Sequence, residues 1–168
     1  MLPVQLNGIK EIPDEILDSV KECVQNTFES ISGDRPDFVM QNGNEKPMNG
    51  IIGSINVFNT EHTLSMMIAI PKKTALAVSE VFCGMELPFE SDDMGDLVGE
   101  ISNILAGDVA ASVEKIGFVG QSSLPTATRG SDLTLFLPNK PPTAKLKFVG
   151  TGGEFWVNLA LSESRRHK

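Results

Sequence analysis

The sequence is short of basic residues and has no long hydrophobic run, and each shortage excludes a class of protein. Its 168 residues include 14 Lys and Arg against 22 Asp and Glu, a formal net charge of −8. Nucleic acid is therefore not expected as a partner, because phosphate binding requires a basic patch. The longest strongly apolar run, SMMIAI at 65–70, is far too short to span a bilayer. The segment MLPVQLNGIKEIPDE lacks the pattern of a signal peptide, so we expect a cytoplasmic protein without membrane contact.

Cysteine and histidine are also scarce, with two of each. A chain of this length buries roughly 70% of its unfolded surface, so it needs no disulfide to support its core. We expect Cys23 and Cys83 to be buried as small hydrophobic residues. His62 and His167 stand alone, without the Cys/His spacing of a metal site, and we expect both at the surface. The sequence therefore predicts no metal or cofactor bound by this chain.

Three segments have the apolar spacing and boundary residues of helices. Residues 14–31 repeat apolar side chains at helical intervals after a proline and an aspartate. A shorter helix is predicted from about 73 to 83, where Gly84 ends it. A long helix is predicted from about 92 to 115, ended by Gly117. Together they supply two long helices and one short one.

The remaining segments are typical of strands. The predicted strands lie at 51–59, 63–70, 118–127, 131–138, 145–150 and 154–161. The glycine cluster at 150–153 is followed by a strand rather than a helix, which excludes a phosphate-binding loop and favours a hairpin turn. The order of elements predicts a single α/β (α+β) domain over residues 1–168. Its antiparallel or mixed sheet is expected to carry the two long helices on one face.

The long helix carries an unusual polar row. At about 100° per residue, Asp96, Glu100, Asn103 and Gly107 share one side, opposite the apolar stripe. Asparagine is unfavourable inside a helix, and Gly99 and Gly107 each cost up to about 1 kcal/mol there. From the physics alone, the row is either an ordinary solvated face or a surface that binds a partner.

The stretch GEISNILAG within this helix resembles the signature of the CheC/CheX/FliY family of response-regulator phosphatases, and is closest to the CheX members. The family pattern is Asp or Ser, three residues, Glu, two residues, Asn, and then a proline beyond the helix. Here these positions hold Asp96, Glu100, Asn103 and Pro125, with twenty-one residues between Asn103 and Pro125, one fewer than the usual interval of the family. The resemblance covers about residues 71–130 at the level of motifs, and most of the chain by element order.

The resemblance implies a phosphatase that hydrolyses the aspartyl phosphate of a CheY-like chemotaxis response regulator. It gives Glu100 and Asn103 the catalytic roles, with Asp96, Gly107 and Pro125 as supporting or partner-binding residues. An amide suits the placing of a water molecule, because it accepts and donates hydrogen bonds without adding negative charge beside a phosphate. Mg²⁺ is expected on the regulator rather than on this chain. The family also implies a homodimer formed through sheet edges.

The first helix repeats this spacing with Asp18, Glu22 and Gln25, and Pro47 follows at the same interval. In a member of this family, the repeat implies an internal duplication of two similar halves about a pseudo-twofold axis. The three polar residues are then a degenerate second site. Alternatively, they are simply the polar side of an amphipathic helix.

Two other functions fit the same residues. The helix at 92–115 could dock a response regulator, or a flagellar-switch or signalling protein, without hydrolysis. A purely structural dimeric domain is the third hypothesis, in which changes at Glu100 alter only stability, and by little. The presence of Asn103 favours the enzyme.

Overall fold

Three helices and seven strands make up the part of the chain that the computed structural model describes, residues 3–43, 46–137, 141–150 and 152–164. The elements in chain order are α1 Asp14–Ser32, β1 Asp37–Gln41, β2 Met48–Phe58, β3 His62–Pro71, α2 Lys72–Cys83, α3 Asp92–Glu114, β4 Gln121–Ser122, β5 Thr126–Leu133, β6 Thr143–Gly150 and β7 Gly153–Glu163. The three predicted helices are confirmed to within about two residues, because each has an apolar stripe and a clear end. Two of them end at a glycine with positive φ, Gly33 at 74° and Gly84 at 77°. None of the helices in the described ranges is long and apolar enough to cross a membrane.

All seven strands join one antiparallel sheet in the order β1-β6-β7-β3-β2-β4, with β5 also paired to β2. The predicted strand at 118–127 is wrong in one respect: it is divided into β4 and the start of β5. Pro125, which cannot donate a ladder hydrogen bond, lies in the gap between them. β5 then continues through the predicted break near Ser131 and ends at Leu133. Gly150 pairs with Gly153 across the predicted hairpin turn.

The strand order reveals the two similar halves that the sequence predicts. α1 is followed by β1, β2 and β3, while α3 is followed, after the short β4, by β5, β6 and β7. Each half places its first strand beside the hairpin of the other, β1 on β6 and β5 on β2, and the halves meet where β3 pairs with β7. Pro125 immediately precedes β5, and its topological counterpart before β1 is Pro36. Pro47, which follows Gln25 at the same sequence interval as Pro125 follows Asn103, instead precedes β2.

Both long helices pack on one face of the sheet, and on each other. Alternate residues of the central strands point into this layer, such as Leu64, Met66, Ile68 and Ile70 on β3, each no more than 1% exposed. Full burial of such a side chain contributes roughly 1.5–3 kcal/mol. The sheet and the neighbouring helix therefore hold the apolar side of α3 firmly and leave its opposite side outward.

Two expectations about single residues are wrong. Cys83, unlike the buried Cys23, is exposed, because it is the last residue of α2, where Val81 and Phe82 also face solvent. His62 is buried, at 5% exposure, because it begins β3 and its ring lies 6.5 Å from the ring of Phe118. His167 lies outside the described residues.

Candidate functional site

The polar row lies on a helix whose start is fixed by its own sequence. The Ser91 side-chain oxygen accepts a hydrogen bond of 3.2 Å from the backbone N–H of Met94, which makes Ser91 the N-cap of α3. Asp92 and Asp93 occupy the first turn, where the positive end of the helix dipole favours carboxylates. The cap thus fixes where α3 begins. The direction in which each later side chain of the helix points follows from that start.

The helical wheel of the sequence describes α3 correctly. Its inward side is buried, and comprises Met94, Leu97, Val98, Ile101, Ser102, Leu105, Ala106, Val109 and Val113. Asp96, Glu100, Asn103 and Gly107 are all exposed on the other side. Ser102, beside Asn103, is fully buried and donates to the carbonyl of Val98 at 2.7 Å.

An open cleft of about 900 Å³ runs along this outward side of α3. One wall is the helix and its cap, with Ser91, Asp92, Gly95, Asp96, Gly99, Glu100 and Asn103. The other wall is Leu124, Pro125, Ala127 and Arg129, and Ile51 completes the lining. The cleft therefore brings together four of the predicted residues, Asp96, Glu100, Asn103 and Pro125. Gly107 is not part of its lining.

Two glycines shape the helix wall. A methyl group added at Gly95 would meet no heavy atom within 4 Å, and one at Gly99 would lie 3.9 Å from Cγ of Pro125, an ordinary contact. Neither glycine is thus required by crowding inside the chain. Their absence of side chains leaves gaps between the polar groups through which another molecule can approach the helix.

The polar side chains of the row are uncommitted within the described part of the chain. Asp96 and Glu100 take part in none of its ion pairs, and the Asn103 amide has no hydrogen-bond partner there. The lining contains a basic residue, Arg129, that the sequence analysis did not single out. Its Nη1 donates to the carbonyl oxygens of Phe89 at 3.0 Å and Ser91 at 2.7 Å, so its charge is directed at the loop before α3.

The alternation of β5 could have indicated the position of Arg129. Ala127 and Arg129 are two residues apart on the strand and line the same cleft, as the period of a strand requires. What the sequence could not indicate is the partner of Arg129, because the residues that it binds are 38 and 40 positions away along the chain.

The corresponding row on α1 differs from that on α3. Asp18 and Glu22 are exposed, but Gln25 is half-buried and its amide is in use. Nε2 of Gln25 donates to the carbonyl of Pro36 at 2.9 Å, and Nη2 of Arg35 donates to Oε1 at 3.4 Å. The segment before β1 thus binds the side-chain amide of Gln25, the residue of α1 that corresponds to Asn103.

Metal ligands are not gathered at either row. Within the described ranges, no group of three or more His, Cys, Asp or Glu side chains is arranged to hold a metal ion. Beyond the Ser91 cap, the polar side chains that the α3 wall presents to the cleft are carboxylates and an amide.

Comparison with protein families identifies the chain. Residues 51–148 match the family described as "Chemotaxis phosphatase CheX". The match covers more than half of the 168 residues, so this chain belongs to that family. It includes the whole of α3, β4 and β5, and it also includes every residue that lines the cleft. None of the curated proteins matches the sequence.

Solved structures share the fold. A CheC-like superfamily protein from Shewanella sp. PV-4 superposes with a TM-score of 0.82 at 14% identity, covering 90% of this chain and 99% of that one. The chemotaxis protein CheX from Vibrio vulnificus gives 0.80 at 17% identity, covering 88% and 99%. A chain of the CheX–CheY–BeF3–Mg²⁺ complex from Borrelia burgdorferi gives 0.69 at 18% identity, covering 89% and 97%.

Proposed function

We propose that this chain is a protein phosphatase that hydrolyses the aspartyl phosphate of a CheY-like chemotaxis response regulator. The observation that carries the proposal is the state of Glu100 and Asn103. They lie one turn apart on the outward side of α3, they line an open cleft, and no described residue binds their polar atoms. Membership of the CheX family supports the reaction, and the similar chain crystallised with CheY, BeF3 and Mg²⁺ supports the type of partner.

The reaction requires little from this chain beyond positioning. An aspartyl phosphate is an acyl phosphate and is already activated, and the regulator holds Mg²⁺ and a lysine that stabilise charge on the phosphoryl group. What remains is to place a water molecule in line with the leaving carboxylate oxygen, and phosphoryl transfer depends chiefly on such placement and on electrostatics. The Asn103 carbonyl oxygen accepts a hydrogen bond from this water, and its NH₂ group donates without adding negative charge.

Glu100 is the proposed anchor for α3 in the active site of the regulator. One turn before Asn103, its carboxylate pairs with the regulator's lysine and fixes the helix relative to the phosphoryl group. Asp96, a further turn away, adds a supporting contact with a basic group. Pro125 forms the facing wall, and Gly107 lets the partner approach the helix backbone.

We assign one working site to each chain. The Gln25 amide of α1 is engaged by Arg35 and Pro36, which favours the interpretation of Asp18, Glu22 and Gln25 as the polar side of a helix. We also infer a homodimer formed through sheet edges. β1 supports this inference, because it pairs only with β6 within the described ranges and Val39 and Met40 on it are 46% and 44% exposed.

The decay of a phosphorylated CheY-type regulator from the same organism tests the proposal, with binding measured separately on the regulator in its beryllofluoride–Mg²⁺ form. We expect the wild-type protein to accelerate decay and Asn103→Ala to lower this acceleration about 10²-fold while binding persists. Glu100→Ala should weaken binding as well as turnover. Gln25→Ala and Glu22→Ala change the matching residues of α1, and should leave both quantities unchanged.

A different result selects the alternative function. If the wild-type protein binds the regulator and leaves its decay unchanged, the cleft is a docking surface and the chain is a non-catalytic binding module. If Gln25→Ala reduces turnover as much as Asn103→Ala does, the assignment of one site to α3 is wrong.

A further inference from the structure

We propose that Leu124 is an apolar anchor that determines which response regulators this chain binds. It does so by packing against an apolar patch beside the phosphorylated carboxylate of the regulator. The inference rests on the proposed function and deepens it, because it specifies the chemistry of the partner surface. It concerns binding rather than the reaction, and so it can fail while the proposed function stands.

Leu124 is 89% exposed although it lies on a wall of the cleft. Single exposed apolar residues are common on protein surfaces and need no explanation by themselves. Leu124 differs from these by its place, because it stands across the cleft from Asp96, Glu100 and Asn103. A molecule that fills the cleft and contacts the Asn103 amide therefore has this side chain on the facing wall.

The backbone around Leu124 is held in place on both sides. Ser123 exchanges two hydrogen bonds with Asn56 of β2: its N–H donates to the Asn56 carbonyl at 2.9 Å, and its Oγ accepts from the Asn56 N–H at 3.0 Å. Pro125 follows directly, and its ring fixes the φ angle of Pro125 itself. Leu124 is therefore presented by a short, fixed segment, and binding through it costs little conformational entropy.

The two walls of the cleft have different chemistry. The α3 wall carries Asp92, Asp96 and Glu100, whereas Leu124, Pro125 and Ala127 make the facing wall apolar. Arg129 does not change this contrast, since its guanidinium is bound to the loop before α3. The matching partner surface has a basic side chain on one side of its phosphoryl group and an apolar patch on the other. We commit to the response regulator itself as the occupant.

This placement gives a distinct kinetic expectation. Leu124 has no side-chain polar atom, so it stabilises the bound regulator equally before and during the reaction. An interaction of that kind changes KM and Kd and leaves kcat unaltered. Asn103, in contrast, is expected to change kcat.

The test compares Leu124→Ala with Phe136→Ala. Phe136 is 87% exposed and does not line the cleft, so its variant controls for the loss of an exposed apolar side chain. For each variant we would measure Kd for the beryllofluoride–Mg²⁺ regulator, and kcat and KM with the phosphorylated regulator. Leu124→Ala should raise Kd and KM about tenfold or more with kcat within about twofold of wild type, and Phe136→Ala should change neither. Leu124→Met should restore most of the affinity.

The outcomes separate this inference from the proposed function. If the wild-type protein accelerates decay and Leu124→Ala binds the regulator with an unchanged Kd, the inference alone is overturned. If the wild-type protein does not accelerate decay but Leu124→Ala has a higher Kd than wild type, the anchor is supported and the proposed phosphatase function is overturned. A fall in kcat with an unchanged Kd overturns the anchor, because it gives Leu124 a role in the reaction itself. No binding by the wild-type protein overturns both.

Discussion

Arg129 on β5 donates a hydrogen bond of 2.7 Å to the carbonyl oxygen of Ser91, the residue that caps α3. The two residues belong to opposite walls of the cleft. A second hydrogen bond, 3.0 Å long, joins Arg129 to the Phe89 carbonyl in the loop before the cap. These contacts connect the apolar wall to the start of the helix that carries Glu100 and Asn103. The separation of the two walls therefore depends on a side chain that takes no part in the proposed reaction.

Replacing Arg129 by methionine should both destabilise the protein and disturb the cleft. The change removes two hydrogen bonds from a charged donor that is largely shielded from solvent, which lowers the free energy of unfolding by about 1.5–3 kcal/mol. The ion pair with Glu90 adds little, because the Glu90 side chain is 81% exposed. Urea unfolding measures the first effect. Phosphatase assays should show a raised KM together with a lowered kcat, because both binding and the placing of Asn103 depend on the start of α3.

Arg35→Met is the matched control. Arg35 also combines an ion pair, with Glu29 at 3.1 Å, and hydrogen bonds to side chains of α1, but its side chain is 42% exposed. Its loss should cost no more than about 1 kcal/mol and leave phosphatase activity unaltered. Equal losses of activity in the two variants would mean that general stability, rather than the position of α3, accounts for the effect.

Gly53 on β2 lets α3 lie close to the sheet. A methyl group at this position would overlap the Oγ atom of Ser102 and come within 3.1 Å of Cγ1 of Val98. Gly53→Ala should therefore lower the free energy of unfolding by about 1–3 kcal/mol, the usual cost of overpacking. Adding Ser102→Ala removes the overlapping oxygen, so the double variant should be more stable than Gly53→Ala alone. Strictly additive costs in a double-mutant cycle would show that Ser102 is not the obstacle.

The helices and the polar row could be predicted because they depend on local spacing. A period of 3.6 residues separates the buried side of α3 from Asp96, Glu100 and Asn103 whatever the sheet beneath it. β1 was missed because DFVMQ is almost wholly exposed and lacks the alternation of a half-buried strand. It forms because β6 is available beside it, which is a property of the fold rather than of the segment.

Errors at single residues have the same origin. His62 was expected at the surface, but the ring of Phe118, more than fifty positions away, lies beside it and helps to bury it. The hydrogen bond of Gln25, which distinguishes the occupied row on α1 from the open one on α3, also joins separate segments, as does that of Arg129 to Ser91. Spacing shows which side of a helix is polar. Only the folded chain shows which polar groups are already bound.

The two cysteines should differ sharply in reactivity. Burial raises the pKa of the Cys23 thiol, the charges of Asp108 and Glu22 add to this, and a hydrogen bond with Ser112 opposes it. A raised pKa leaves less thiolate at a given pH, so Cys23 should react slowly in the native protein. The exposed Cys83 should react with one equivalent of a disulfide reagent at about pH 8. Cys83→Ser should abolish this fast phase, and denaturant, which exposes Cys23, should then make one thiol react. A persistent fast phase in Cys83→Ser would contradict the burial of Cys23.

Gly107→Ala should strengthen the fold and weaken the proposed complex. A methyl group there meets no heavy atom within 4 Å, and the position is inside α3, where alanine is favoured over glycine by up to about 1 kcal/mol. If the regulator approaches the helix backbone at Gly107, the same methyl group lies in its path. Stability and affinity should then change in opposite directions: thermal unfolding should give a higher Tm, and the beryllofluoride regulator should bind with a higher Kd. A higher Tm with an unchanged Kd would place the edge of the interface before Gly107 and confine the contact to the cleft.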